Sequence, residues 1–134
     1  TLARGKAAVL QQGDLVTIVT YGMGVHWALK TLESDTSIKA DLIDLRTLSP
    51  LDTETIYASV KKTGKVIILQ EDSMFGGIAS DISALISEHC FEDLDAPIKR
   101  VAGLETPIPF AADLEREYLA NNRFDAALKE LIAY

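Results

Sequence analysis

Five short apolar segments alternate with helical patterns along the chain, and this alternation dominates the sequence. The segments are rich in β-branched residues, and the second and fourth are uninterrupted apolar runs, as in strands buried on both faces of a parallel sheet. They comprise residues 7–10, 15–21, 41–45, 66–69 and 98–101. Gln12-Gly13-Asp14 favours a tight turn between the first two segments, so this pair is expected to form an antiparallel hairpin or to lie at an edge.

Helix boundary signals lie between the apolar segments. In one helix, Ser49 is a candidate N-cap with Pro50 at the first helical position, and Asp52 is the alternative cap. This helix is expected to end at Gly64, which suits a left-handed C-terminal cap. Amphipathic stripes or glycine turns predict three further helices, over residues 25–32, 78–90 and 122–134.

The order of strands and helices predicts a three-layer α/β/α sandwich around a mostly parallel sheet. The 134 residues contain no repeat or linker, so residues 1–134 are expected to form one domain. Because the chain begins Thr1-Leu2 without an initiator Met, it is expected to be a piece of a longer protein. No apolar run approaches the ~20 residues of a membrane span.

The charge balance limits the classes of partner. Asp and Glu number 20 against 13 Lys and Arg, which gives a net charge of −7. Nucleic acid and anionic lipid both need a basic face, so neither is expected as a partner. A basic protein partner is compatible with this charge.

The glycine turn Gly22-Met23-Gly24 is the first candidate ligand site. It follows a predicted buried strand, and Asp41 and Asp44 lie ~20 residues downstream, where a ribose-binding acid of a dinucleotide site would stand. Trp27 occupies the position of the third glycine, however, and an indole there would prevent the close approach of helix and strand. The sequence therefore favours an ordinary turn with positive φ.

Phe75-Gly76-Gly77, after the fourth segment, is the second candidate. A helix N-terminus can bind an anion, but the neighbouring acids oppose a phosphate, and no lysine follows the glycines. The helix amides are instead expected to be bound by Glu71, Asp72 or Ser73. Gly77 is expected to need positive φ or a close backbone approach.

No set of nucleophile, base and acid can be assembled from the remaining reactive residues. His26 and His89 lie in different predicted helices without a second metal ligand nearby, so packing or capping roles are favoured for both. Either His89 or Cys90 completes the apolar stripe of its helix, and Cys90 is interpreted as a small buried hydrophobe. The sequence predicts no catalytic, cofactor-binding or metal-binding residue in this chain.

Acidic residues cluster toward the carboxyl-terminal half, and they admit two interpretations. They form either an ordinary solvated surface or an electrostatic docking site for a basic partner. The residues are Glu88, Glu92, Asp93, Asp95, Glu105, Asp113, Glu115 and Glu117.

A set of motifs in fixed order resembles the transketolase C-terminal domain, and more specifically that domain in the beta subunit of thiamine-diphosphate-dependent 2-oxo-acid dehydrogenases. The motifs are Arg4-Gly5-Lys6-Ala7, residues 13–22, residues 41–52, residues 59–65, Phe75-Gly76-Gly77-Ile78-Ala79-Ser80, residues 96–103 and the paired-proline loop Thr106-Pro107-Ile108-Pro109-Phe110. Glu105 stands where the family has aspartate, and Asn121 or Asn122 replaces a proline-containing start of the last helix. Residues 91–96 resemble the branched-chain enzymes more than the pyruvate enzymes.

The resemblance implies a mixed five-stranded sheet with an antiparallel first strand. It implies a decarboxylating component that uses thiamine diphosphate and Mg²⁺ in other domains and transfers an acyl group to a lipoyl-bearing acyltransferase. This chain would support subunit association and dock a basic subunit-binding domain of the acyltransferase. The resemblance also implies a cytoplasmic location in bacteria and the mitochondrial matrix in eukaryotes.

Docking is hypothesised to use Glu92, Asp93, Asp95 and the carboxyl terminus at Tyr134. Two alternative functions remain open at this point. One is a free-standing flavodoxin-like binding module that uses the Gly22 and Gly77 loops. The other is the equivalent domain of a transketolase or deoxyxylulose-phosphate synthase.

Overall fold

A mixed five-stranded sheet forms the centre of the protein in the computed structural model, which describes residues 5–73, 77–103 and 121–134. The strand order is β1-β3-β2-β4-β5, with β1 antiparallel to β3 and the other neighbours parallel. The strands are β1 (Ala8–Gln11), β2 (Val16–Thr20), β3 (Ala40–Asp44), β4 (Val66–Ser73) and β5 (Lys99–Gly103). This arrangement confirms the fold class and the antiparallel first strand.

Helices cover both faces of the sheet. Their bounds are α1 (Met23–Ser34), α2 (Thr53–Thr63), α3 (Ile78–Cys90) and α4 (Asn121–Ala133), and a short 3₁₀ turn (Phe91–Asp93) follows α3. Helices α1 and α4 share one apolar cluster with the sheet, and α2 and α3 share the other. Within the described residues, no helix has the length and hydropathy that crossing a bilayer requires.

Side chains of β2 alternate between the two faces of the sheet, so this one strand packs against both helix layers. Ile18 faces the α1–α4 cluster, whereas Val19 faces the α2–α3 cluster, and both are fully buried. On the first side, α4 contributes Phe124 and Leu128, as its predicted stripe required. Complete burial of one such side chain is worth about 1.5–3 kcal/mol, so these residues fix α4 to the sheet.

The predicted hairpin between the first two strands is wrong, whereas the edge position of β1 is confirmed. β1 pairs with β3, with Val9 opposite Ile43. β2 lies between β3 and β4, so both of its edges are already occupied. The turn at Gly13 carries the chain across β3, and a Cβ on Gly13 would collide with the Lys39 backbone.

Helix α2 begins and ends at residues that the sequence indicated. Asp52 is its N-cap and accepts a hydrogen bond from the Thr55 amide at 3.3 Å, which decides between the two predicted caps in favour of Asp52. Asp52 also accepts a hydrogen bond from the Ala7 amide at 2.9 Å. At the other end, Gly64 has φ 74° and its amide bonds the Val60 carbonyl at 2.8 Å, so the predicted left-handed cap is confirmed.

The start of α3 differs from the expectation. Gly77 has φ −82° and ψ 162°, a conformation open to any residue, so the first of the two expected alternatives, positive φ, is wrong, and a close backbone approach stays a prediction. The Ala79 amide in the first turn is bound by Gln70 Oε1 at 2.6 Å, rather than by one of the predicted residues 71–73. Gln70 projects from β4 and is fully buried, so the strand itself satisfies this helix amide. The side chains of residues 72 and 73 lie outside the described set.

Candidate functional site

Asp41 is a buried carboxylate that accepts three hydrogen bonds through its two oxygens. Its Oδ1 accepts hydrogen bonds from Lys62 Nζ at 2.7 Å and the Gly13 amide at 2.9 Å, and its Oδ2 accepts one from Ser59 Oγ at 2.7 Å. Burial alone would raise the pKa of Asp41, but the hydrogen bonds from Lys62, Gly13 and Ser59 outweigh it and hold the pKa below its ordinary value. The sequence raised Asp41 as a ribose-binding acid, yet its lone pairs are used inside the protein.

Hydroxyl groups continue this network into the core. Thr17 Oγ1 lies 2.7 Å from both Ser59 Oγ and Thr63 Oγ1, and Thr63 Oγ1 donates to the Lys65 carbonyl at 3.0 Å. Thr17, Ser59 and Thr63 are all buried. The network therefore joins β2, β3 and α2, and its role is structural.

The Gly22–Gly24 turn joins β2 to α1 through a close backbone contact. Gly22 has φ 58°, which confirms the predicted positive φ. Gly24 is buried, and a Cβ on it would collide with Thr20 Oγ1, so the start of α1 lies close to β2. Asp44, the other proposed ribose-binding acid, accepts a hydrogen bond from the Arg46 amide at 3.0 Å. Nothing at this turn favours a free-standing nucleotide-binding module.

The two histidines and the cysteine do not come together. His26 and His89 are both exposed, and the His89 ring lies 5.0 Å from that of Tyr57. Cys90 is buried and completes the apolar stripe of α3, so the stripe takes Cys90 and not His89. Burial raises the pKa of the Cys90 thiol, which makes it a poor nucleophile.

A groove of about 760 Å³ lies beside α3, at the sheet edge that β5 forms. Three serines of α3 form one wall, and the segment leading into β5 forms the other. Phe91 and Tyr134 line it with 73% and 70% of their surfaces exposed, respectively. The lining residues are Ser80, Ser83, Ser87, Phe91, Glu92, Leu94, Asp95, Ala96, Pro97, Ile98, Arg100 and Tyr134.

The groove brings together three of the four residues of the docking hypothesis. Glu92, Asp95 and Tyr134 line it, while Asp93 lies on the adjoining 3₁₀ turn, outside the lining. Asp95 is held firmly, because its amide donates to the Gly64 carbonyl at 2.7 Å and its carboxylate packs on the Gly64 Cα. Asp95 is nevertheless exposed, and it gives the groove an anionic group. Glu105, Asp113, Glu115 and Glu117 lie outside the described residues.

Arg100 and Phe91 were not identified as site residues from the sequence. Arg100 Nη1 donates to Ser80 Oγ at 2.8 Å and places a cation at the end of the groove away from Glu92. The usable signal was the spacing of the α3 residues. The buried stripe is 79, 82, 86 and 90, and the residues one position later, 80, 83, 87 and 91, are small except for the final aromatic.

The side chains around the groove suit recognition of another molecule. Within the described part of the chain, no three His, Cys, Asp or Glu side chains lie close enough to hold a metal ion. The groove offers the two exposed aromatic rings of Phe91 and Tyr134, together with two carboxylates and a guanidinium. These features suit a protein surface that carries complementary charges.

Known proteins give a consistent set of matches. The family model of the transketolase C-terminal domain matches residues 5–123. The 2-oxoisovalerate dehydrogenase subunit beta of Bacillus subtilis is 47% identical over 97% of this chain and 41% of its own length. The pyruvate dehydrogenase E1 component subunit beta of Rickettsia bellii is 46% identical over 84% of this chain and 35% of its own length. Mitochondrial beta subunits from two eukaryotes also match.

A solved structure gives the same result for the fold. A split-gene transketolase, described as an inactive beta4 tetramer, superposes with a TM-score of 0.76 at 27% identity, over 98% of this chain and 43% of that one. The chain thus spans about two fifths of the length of these proteins.

Proposed function

We propose a function from one premise: the chain belongs to the transketolase C-terminal domain family. Our proposal is that it is the C-terminal domain of the beta subunit of a 2-oxo-acid dehydrogenase, where it supports subunit assembly and docks a basic partner. The observation that carries the proposal is 47% identity to a 2-oxoisovalerate dehydrogenase beta subunit across 97% of this chain. The transketolase neighbour is only 27% identical, which favours the dehydrogenase over a transketolase.

In the proposed parent enzyme, a 2-oxo acid is decarboxylated on thiamine diphosphate and its acyl group passes to a lipoyl-bearing acyltransferase. Within the described residues, no group of His, Cys, Asp or Glu side chains could hold the Mg²⁺ that accompanies the diphosphate. We assign no reaction step to this chain, and we assign the cofactor to other domains of the parent enzyme.

Docking is assigned to the acidic rim, defined as Glu92, Asp93 and Asp95, together with Tyr134. The basic subunit-binding domain of the acyltransferase is the proposed ligand. The rim carries three carboxylates, and the described part of the chain gives Glu92 and Asp95 no ion pair. Lysines or arginines of the partner would form charge-assisted hydrogen bonds there. The exposed ring of Tyr134 adds an aromatic contact.

Surface plasmon resonance tests this proposal. The immobilised subunit-binding domain is titrated with the dehydrogenase component that contains this chain, over a series of salt concentrations. The variant with Glu92→Gln, Asp93→Asn and Asp95→Asn is expected to bind about tenfold more weakly, because complementary charges raise the association rate. Its salt dependence should also be flatter, since the Debye length is only ~8 Å at physiological salt.

A matched control separates the rim from net charge. Asp81→Asn removes an exposed acid of α3 that does not line the groove, and it should leave binding unchanged. Tyr134→Ser tests the aromatic contact. Equal affinity and equal salt dependence for the wild type and the triple variant would remove the acidic rim as the docking site.

The proposed location follows that of the parent complex: the cytoplasm in a bacterium and the mitochondrial matrix in a eukaryote. The mitochondrial and bacterial origins of the relatives support both settings. Residues 1–134 are proposed to act as one domain within the longer subunit.

A further inference from the structure

Two neighbouring loops expose apolar side chains at the end of the sheet where the parallel strands finish. β2 and β3 end side by side, with Thr20 opposite Asp44, and the loops that follow them carry Met23 and Leu48. These two side chains are 48% and 39% exposed, and Pro50 on the second loop is exposed as well. Large apolar side chains that share one region of a surface favour a contact with another protein surface.

Arg46 lies in the second of these loops, in a strained backbone conformation. Its φ is 59°, and it is the one residue other than glycine with positive φ in the described part of the chain. The Thr47 amide donates to the Leu45 carbonyl at 2.5 Å and closes a three-residue turn around Arg46. Glycine would adopt this conformation without strain, and strained residues that persist in a fold cluster at functional sites. The turn therefore indicates a use for the Arg46 side chain.

The guanidinium of Arg46 contributes little within the chain. Its one ion pair among the described residues is with Asp44, and the Nε–Oδ2 distance of 3.9 Å is at the limit for such a pair. The Arg46 side chain is 42% exposed, and exposed ion pairs add little stability. The cation is thus available to another surface. We name Met23, Arg46, Leu48 and Pro50 the carboxyl-end patch.

The first described residues of the chain lie against this patch. A Cβ on Gly5 would come within 2.9 Å of Pro50 Cγ, so these two residues are packed together. The next residue, Lys6, is exposed and adds a second cation. This chain spans about two fifths of the length of its relatives and matches the model of a C-terminal domain. In the proposed parent subunit, the preceding domain is therefore joined to this chain beside the patch, at a high effective concentration.

We propose that the carboxyl-end patch is the contact surface for the preceding domain of the parent subunit, with Met23 and Leu48 buried in the contact and Arg46 paired with a carboxylate of that domain. This inference rests on the proposed function and adds to it the face that joins this chain to the rest of the subunit. Exclusion of water strengthens the charge-assisted hydrogen bonds of a guanidinium. The contact thus compensates for the strain of the Arg46 turn.

The patch is separate from the groove beside α3. None of its four residues lines that groove, so the acidic rim stays accessible to the acyltransferase while the patch is covered. A second copy of this chain and a different subunit are the competing occupants. Either of them would have to cover the patch while the preceding domain, which is joined to the chain at Gly5, lies elsewhere.

Site-specific photo-cross-linking in the intact dehydrogenase component identifies the occupant. p-Benzoylphenylalanine takes the place of Leu48, and the same replacement of Leu10, which is 42% exposed on the edge strand β1, is the matched control. Irradiation should link position 48, but not position 10, to a peptide that precedes residue 1 in the same polypeptide, without an increase in the mass of the subunit. A linked peptide from a different subunit, a subunit of doubled mass or the absence of a cross-link at position 48 would each overturn the proposal.

Arg46→Gly tests the strained turn, because its expected effects have opposite signs in two settings. In the 134-residue chain it relieves the strain, so thermal unfolding should occur at an equal or higher temperature. In the intact component it removes the ion pair with the preceding domain, so the amides of residues 45–49 should exchange with deuterium about tenfold faster. Arg46→Lys keeps the charge and should exchange more slowly than Arg46→Gly. Unchanged exchange in the intact component, or a lower unfolding temperature in both settings, would contradict a role for Arg46 between domains.

Two results separate this inference from the docking function on which it rests. A cross-link within the subunit at position 48, in a component that does not bind the acyltransferase, would contradict the docking function alone. Binding of the acyltransferase by a component that lacks this cross-link would contradict the carboxyl-end patch alone.

Discussion

Asp41 and Asp95 both contact helix α2, and they behave in opposite ways. Asp41 is 4% exposed and its two oxygens bind Lys62, Gly13 and Ser59. Asp95 is exposed, and its backbone, rather than its carboxylate, makes the hydrogen bond, to the Gly64 carbonyl. A carboxylate with internal partners stabilises the fold, whereas one held rigidly without them is available to another molecule. The predictions below test this division, beginning with the largest expected effect.

Asp41→Ala should be the most damaging substitution. It leaves the partly buried Gly13 amide without its acceptor and the buried Ser59 hydroxyl with Thr17 in place of a carboxylate, and an unpaired buried group costs about 1–3 kcal/mol. Lys62 is 46% exposed and can turn to water, so we expect a total loss of about 3 kcal/mol in the free energy of unfolding. Urea denaturation measures it. Asp44→Ala, in the same strand with a 3.9 Å ion pair to exposed Arg46, is the matched control and should cost about 1 kcal/mol or less.

Gly64→Val should affect both regions at once. The left-handed φ of 74° is strained for a β-branched residue, and the new side chain would collide with the Asp95 carboxylate. We expect a loss of about 2 kcal/mol together with weaker binding of the proposed basic partner, because Asp95 is displaced. Thermal unfolding and surface plasmon resonance measure the two effects. If partner binding is unchanged while stability falls, Gly64 does not position Asp95.

Acid should weaken the Asp41 region selectively. The folded-state pKa of Asp41 lies below its ordinary value of 3.8. Its ionised form therefore contributes stability in full above that value, and the contribution is lost as the pH falls through the folded-state pKa. The wild type should lose thermal stability below about pH 4 more steeply than Asp41→Asn. Parallel curves for the two proteins would contradict the assignment of the ionised partner to Asp41.

Glu92→Gln combined with Asp95→Asn should barely change the fold. Exposed carboxylates without internal partners contribute little, so the free energy of unfolding should change by less than about 0.5 kcal/mol. Binding of the proposed basic partner should nevertheless weaken. A loss of stability comparable to that of Asp41→Ala would mean that the groove acids are structural after all.

Local chemistry made some of these features predictable from sequence. Asp52 and Gly64 cap the two ends of α2. Both caps could be predicted, because a cap depends on a few residues that are neighbours in the sequence. The pairing of β1 with β3 was not predictable from the Gln12-Gly13-Asp14 turn, since the turn does not determine which strand edge is free. Gln70 was missed for the same reason: it reaches the Ala79 amide from a different element.

The groove also depends on contacts between distant elements, which the sequence does not reveal. The acidic residues were visible in the sequence, but their sorting into lining and non-lining positions depends on how α3 packs against β5. Arg100 was hidden within a predicted strand and becomes a site residue only because β5 is an edge strand beside Ser80. No local pattern contains that information.

The hydroxyl network beneath Asp41 has a consequence that follows from counting protons. Four contacts run from Asp41 Oδ2 through Ser59, Thr17 and Thr63 to the Lys65 carbonyl, yet three hydroxyls supply only three protons. While Asp41 is ionised and the two outer bonds are kept, Thr17 can donate to Ser59 or to Thr63, but not to both. The Thr17 hydroxyl hydrogen therefore has two alternative orientations within the closely packed core, and the packing of the heavy atoms does not select one of them.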